Sequence, residues 1–154
     1  MDLGLKDKRV IVTGASKGIG NACALALAAE GAKVCVTART EELLARTVEK
    51  IDAAGAEGIY VSTDLTSLEG CESVVDACVA KWGGVDVLVN VAGGAAASDI
   101  LDIPAELIEE SMSLKGFSFL RMAQLVIPHM KKNQWGRIVN IGGGAGTSPS
   151  RSNM

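Results

Sequence analysis

Short apolar, β-branched runs alternate along this chain with stretches whose apolar residues recur at helical spacing. "RVIVTG" (Arg9–Gly14) ends in glycine and reads as a buried strand. Ile19, Ala22, Cys23, Ala26 and Leu27 then follow a helical period that Gly31 ends. "KVCVTA" (Lys33–Ala38) is a second strand. Glu41 to Ala54 is charged but keeps Leu44, Val48 and Ile51 on one side, an amphipathic helix closed by Gly55. "GIYVSTDL" (58–65) is a third strand. Cys71, Val74, Val75, Cys78, Val79 and Trp82 mark the next helix, which Gly83 and Gly84 stop. "VDVLVNVAGG" (85–94) is apolar on both faces, as a parallel strand covered by helices must be. A helical region opens at Pro104 and extends to about Asn133, and "RIVNIG" (137–142) is a fifth strand.

This alternation predicts an α/β fold, a parallel sheet with helices on both faces, built as one domain over residues 1–154. Between Phe117 and Met130 the apolar residues spread around the helix axis. Such a helix is buried on more than one side, so its second face is expected to meet another subunit.

Composition narrows the class. Of 154 residues, 48% are hydrophobic and 21% charged, which fits a packed globular domain, and 18 glycines suit tight turns and close packing. The formal net charge is −3 and no basic run exceeds Lys131-Lys132, which argues against nucleic acid and anionic membranes as partners. No apolar run approaches the roughly 18–20 residues of a bilayer-spanning helix, and "MDLGLKDKRV" lacks the apolar core of a signal peptide. The spacing of Cys23, Cys35, Cys71 and Cys78 matches no zinc site. These read as reduced thiols of a cytoplasmic protein, with no metal expected.

The most informative stretch is "TGASKGIG" (Thr13–Gly20), placed between the first strand and the first helix, where a dinucleotide-binding turn belongs. Gly14 permits the sharp exit from the strand. Gly18 and Gly20 let backbone and helix approach a pyrophosphate, which the helix N-terminus favours. NAD binders usually carry an acidic residue at the end of the second strand. Here that position is Ala38, followed by Arg39. Without a carboxylate, and with Lys17 on the same side, the site is expected to prefer NADP to NAD.

Together with "DL" (Asp64-Leu65), "NVAGG" (Asn90–Gly94), "PHM" (Pro128–Met130) and "GRIVNI" (Gly136–Ile141), this turn makes the chain resemble the short-chain dehydrogenase/reductase family. The resemblance implies a Rossmann-like doubly wound sheet with strand order 3-2-1-4-5, incomplete on its C-terminal side. It implies a cofactor-binding set of Gly14, Ser16, Lys17, Gly18, Ile19, Gly20, Arg39, Asp64, Leu65, Asn90, Ala92 and Gly93. Asp64 and Leu65 would meet the adenine. Asn90, Ala92 and Gly93 would line the ribose side, with Val91 where the family has a second Asn.

The family moves hydride between nicotinamide and a carbonyl or alcohol carbon, using a Tyr-x-x-x-Lys pair, a Ser and an Asn. Ser113 stands where the resemblance expects the Asn, and Gly143 where it expects the Ser. The Tyr would fall near position 156, beyond Met154. The expectation is therefore the cofactor-binding portion of a longer NADP-dependent carbonyl reductase or alcohol dehydrogenase, similar to the 3-oxoacyl thioester reductases, with no catalytic residue of its own. The rival expectations are a catalytically silent nucleotide-binding module, and an oligomerisation partner that pairs through the 117–130 helix, with copies of itself or with a full-length homologue that it blunts.

Overall fold

The computed structural model of the chain describes residues 3–94, 99 and 101–143. Strands β1 (Arg9–Thr13), β2 (Lys33–Ala38), β3 (Gly58–Ser62), β4 (Val87–Asn90) and β5 (Arg137–Asn140) form one parallel sheet in the order β3-β2-β1-β4-β5. Val10 pairs with Val34 on one side and Val87 on the other, which makes β1 the central strand. Alternate residues of each inner strand point to opposite faces. Val10, Val12, Val34 and Val36 therefore join one core with helices α1 (Gly18–Ala29) and α2 (Glu41–Ala53). Ile11, Cys35 and Leu88 join the other, with α3 (Leu68–Trp82) and α5 (Ser118–Lys132).

Helix α3 follows the expected pattern, burying Cys71, Val74, Val75 and Cys78. The Ser67 side chain caps it by accepting from the Gly70 N–H at 2.9 Å, and Gly83 closes it with φ +81°. Burial pushes the Cys78 thiol up to about 12 and raises Cys35 as well, so both stay protonated.

Helix α1 departs from the expected register. Ile19, Ala22 and Ala26 are exposed, and the buried line is Gly20, Ala24 and Ala28. The helix is apolar nearly all round, so periodicity could not choose its inner face. The smallest residues face the sheet because only they let the backbone approach it closely. In α2 the buried residues are Leu44, Thr47 and Ile51, with Val48 at the margin, so a polar side chain occupies part of that face.

The helical region from Pro104 to Asn133 is not one helix. Helix α4 (Ala105–Met112) passes through a π-helical turn (Ser113–Phe117) into α5. Helix α5 buries Ser118, Met122, Val126 and Met130 and leaves Phe117 (the last residue before it), Leu120 and Ile127 exposed. All four residues of β5 are exposed.

The foot of the sheet is held by Arg9 and Asp86. Arg9 Nη2 and Nε donate to the two carboxylate oxygens at 2.7 and 2.8 Å, the Arg9 backbone N–H donates at 3.0 Å, and Asn133 Nδ2 adds a fourth bond at 3.2 Å. Burial alone would push the Asp86 carboxyl up, but the Arg9 bonds outweigh it and hold the group below its ordinary value.

Candidate functional site

The C-terminal ends of β1, β2 and β4 open into a cleft of about 530 Å³. The Gly-rich turn forms its floor, and the local sequence explains why it can. Gly14 has φ +65°, and a Cβ there would lie 2.8 Å from the Ala92 nitrogen. A Cβ at Gly20 would collide with the Gly14 carbonyl oxygen. Thr13 Oγ1 accepts from the N–H groups of Val91 and Ala92, both at 3.0 Å, and so ties the ends of β1 and β4 together beneath the cleft.

Helix α1 starts at this floor. Its N-cap, Lys17, makes no side-chain capping bond, and its first turn carries no acidic residue. The first N–H groups of α1 are therefore left for an anion, with the positive end of the helix dipole behind them. This uncapped end and the two glycines that admit no side chain are what a diphosphate requires, so the residues present fit a dinucleotide.

A polar latch supports the turn from behind. Asn21 Nδ2 donates to Thr47 Oγ1 at 2.7 Å, and the Thr47 hydroxyl donates in turn to the Leu43 carbonyl at 2.9 Å. The Ala15 N–H donates to the Thr37 carbonyl at 3.2 Å. The turn is thus braced against both α2 and β2. Neither Asn21 nor Thr47 is legible as part of a site from sequence: each stands alone in a helix, and only packing brings them together.

Of the residues expected to hold a cofactor, Gly14, Ser16, Lys17, Ile19, Gly20, Arg39, Leu65, Ala92 and Gly93 line this one cleft. Ile19 is 60% exposed there, an apolar wall rather than a core residue. Three expected residues are not on the lining. Gly18, φ +57°, begins α1 with open space around it. Asp64 accepts from the Thr66 N–H at 2.9 Å in the loop after β3. Asn90 is buried, and its Nδ2 donates to Asn140 Oδ1 at 2.9 Å, joining β4 to β5.

The cleft also takes in Thr40 and Thr63 near its β2 end, and Val91, Leu114, Lys115 and Ile141 at the other. No carboxylate is among the described lining residues, while Lys17, Arg39 and Lys115 bring three cations, none in an ion pair among the described residues. Ser113 is not on the lining, and its hydroxyl faces the Thr66 carbonyl at 3.5 Å. Gly143 is exposed beyond β5, and the loop expected from Gly144 onward lies outside the described residues. Among the described residues no group of three or more His, Cys, Asp or Glu side chains is placed to hold a metal ion, and no helix is long and apolar enough to cross a membrane.

The family model described as short chain dehydrogenase matches residues 8–154. The chain is 35% identical over 140 residues to the 7alpha-hydroxysteroid dehydrogenase of Escherichia coli (strain K12), covering 91% of this chain and 54% of that protein. It is 37% identical over 145 residues to the 3-oxoacyl-(acyl-carrier-protein) reductase FabG of Vibrio cholerae, covering 94% and 58%. The chain thus spans little more than half the length of these curated relatives. Among solved structures, L-sorbose reductase from Gluconobacter frateurii, complexed with NADPH and L-sorbose, superposes with a TM-score of 0.95 at 28% identity, covering 99% of this chain and 59% of that one. A 7 alpha-hydroxysteroid dehydrogenase complexed with NADH gives a TM-score of 0.92 at 33% identity, with 96% and 58% covered. The glycine turn between β1 and α1, the strand order and these matches agree: the chain belongs to the short-chain dehydrogenase family.

Proposed function

We propose that this chain is the cofactor-holding portion of an NADP-dependent oxidoreductase that interconverts a carbonyl and an alcohol. The observation that carries the cofactor choice is the carboxylate-free end of the cleft, where β2 ends at Ala38 and Arg39 and Lys17 line the same cleft. Solved relatives hold NADH in one case and NADPH in another, so the family does not decide between them. A ribose 2′-phosphate would be repelled by an acidic residue after β2. Here a guanidinium with its fork of donors replaces it.

Bound in the cleft, a nicotinamide dinucleotide supplies the hydride chemistry. The chain's own residues would bind and orient it. Gly14, Gly20 and the first N–H groups of α1 would hold the diphosphate, Leu65 would pack on the adenine, and Ala92 and Gly93 would leave room for the ribose. Relatives named for a hydroxysteroid, a 3-oxoacyl group and L-sorbose have chemically distant substrates, so the reading stops at a small carbonyl or alcohol. The buried thiols suit a reducing, cytoplasmic compartment. The apolar residues left exposed along α5, Leu120 and Ile127, with Phe117 just before it, support a second copy packing over that face.

Calorimetric titration of the 154-residue chain with NADPH and NADH tests the reading. NADPH should bind more tightly, and Arg39→Asp should reverse the order by removing a charge-assisted contact of about 1.5–3 kcal/mol. Equal affinities in the starting protein would refute the NADP assignment. The 154-residue chain should bind dinucleotide without reducing a carbonyl above the buffer rate; reduction above that rate would overturn the expectation that it carries no catalytic residue of its own.

A further inference from the structure

We propose that Lys115 is a cofactor-binding residue, its ammonium engaging an oxygen of the dinucleotide on the nicotinamide side of the diphosphate. The inference rests on the dinucleotide reading above and adds to it a contact from the opposite wall of the cleft.

Lys115 sits in the π-helical turn Ser113–Phe117. Such wide turns insert a residue into an α-helix and are frequent at functional sites. This one is anchored on both flanks. Ser113 Oγ and Arg121 Nη1 both donate to the Thr66 carbonyl, Arg121 at 2.6 Å, and the Ser118 hydroxyl donates to the Leu114 carbonyl. With those groups committed, Leu114 and Lys115 are the residues of the turn that line the cleft.

The Lys115 stem lies across Gly93. A Cβ built at Gly93 would come within 3.2 Å of Lys115 Cδ and 3.3 Å of its Cγ, so the bare glycine is what makes room for the lysine. The stem is half-buried, and the ammonium has no acceptor among the described residues. A lysine in a cleft with two further cations and no carboxylate is placed to meet an anion or an oxygen acceptor.

Position selects which oxygen. Arg39 stands at the end of β2, whereas Gly93 follows β4. In the order β2-β1-β4 these ends are two strand spacings apart, roughly 10 Å. A dinucleotide laid across the strand ends with its adenosine phosphate at Arg39 therefore brings its second phosphate and nicotinamide-side ribose to Lys115.

The test is calorimetry on the 154-residue chain with NADPH, NADH and 2′,5′-ADP, which carries the adenosine half and its 2′-phosphate but lacks the second phosphate and the nicotinamide riboside. Lys115→Met keeps the stem on Gly93 and removes the charge. It should weaken NADPH and NADH alike by about tenfold, the effect of losing one charge-assisted bond, and leave 2′,5′-ADP within about twofold. Lys115→Arg should retain dinucleotide affinity. Unchanged binding of 2′,5′-ADP also shows the variant folded, and Lys115→Gln supplies the same test if the Met variant does not fold. Dinucleotide affinity within about twofold of the parent, or an equal loss for 2′,5′-ADP, would overturn the inference while leaving the NADP reading intact. Failure of the parent chain to bind any of the three would overturn both.

Discussion

Strands β1 and β5 have nearly the same sequence and opposite surroundings. Arg-Val-Ile-Val-Thr at 9–13 lies in the centre of the sheet, with Val10, Ile11 and Val12 fully buried. Arg-Ile-Val-Asn at 137–140 lies at its edge, with Ile138 36% and Val139 46% exposed. Both begin with an arginine, but Arg9 closes on Asp86 while Arg137 is exposed beside the Trp135 ring, its guanidinium carbon 5.0 Å from the ring centre. A β-branched run specifies a strand; it does not specify how many neighbours the strand has. That count comes from the order in which the chain lays its strands down.

The sharpest way to break this comparison is to truncate equivalent residues. Ile11→Ala should cost about 3 kcal/mol, since it empties a site packed on every side. Ile138→Ala should cost under about 1 kcal/mol, because part of that side chain is already in water. Denaturant unfolding of the two variants measures the difference, and equal losses would mean that β5 is covered in solution.

The two arginines supply the next contrast. Asp86→Asn leaves Arg9 half-buried without its partner and should cost about 3 kcal/mol. The sign of the pH dependence follows from the depressed Asp86 carboxyl. Its contribution is fully present above the ordinary carboxyl value of about 3.9 and is lost as pH falls through the lower, folded-state value. The acid limb of the stability profile should therefore flatten in the Asn variant, whereas Arg137→Ala should leave that limb unchanged.

A smaller effect separates the braced turn from the edge. Thr47→Val removes the acceptor for Asn21 and should cost about 1–2 kcal/mol and weaken dinucleotide binding, although residue 47 is not on the cleft lining. Unchanged affinity by calorimetry would show that the turn holds its shape without the latch. The smallest change in stability is expected from Val139→Lys, under about 0.5 kcal/mol. Its signal should appear in sedimentation at micromolar concentration instead, where a charged edge suppresses strand-to-strand association.

Much of the site was legible because its requirements are local. Gly14 and Gly20 are demanded by a turn of seven residues, and Ala38 and Arg39 follow directly from where β2 ends. The missing parts depend on distant partners. Lys115 lines the cleft from the π-helical turn, whereas the family resemblance pointed to Ser113, which is not on the lining. Asp64 and Asn90 sit beside the cleft, but their side chains are used to hold a loop and a neighbouring strand. The inner face of α1 was misread because an apolar helix offers several equivalent stripes, and only the approach distance to the sheet selects Gly20, Ala24 and Ala28.

The sequence by itself determined the alternation of elements, the glycine turn and the absence of a carboxylate at the end of β2, where Ala38 stands, because each depends on residues within one turn or one strand of each other. The family resemblance also implied the strand order that makes β1 central and β5 an edge. Tertiary structure decided which stripe of α1 is buried and that Lys115 reaches the cleft across Gly93. Those outcomes depend on distances between segments far apart in the chain, and these are set by how closely the small residues allow the elements to pack.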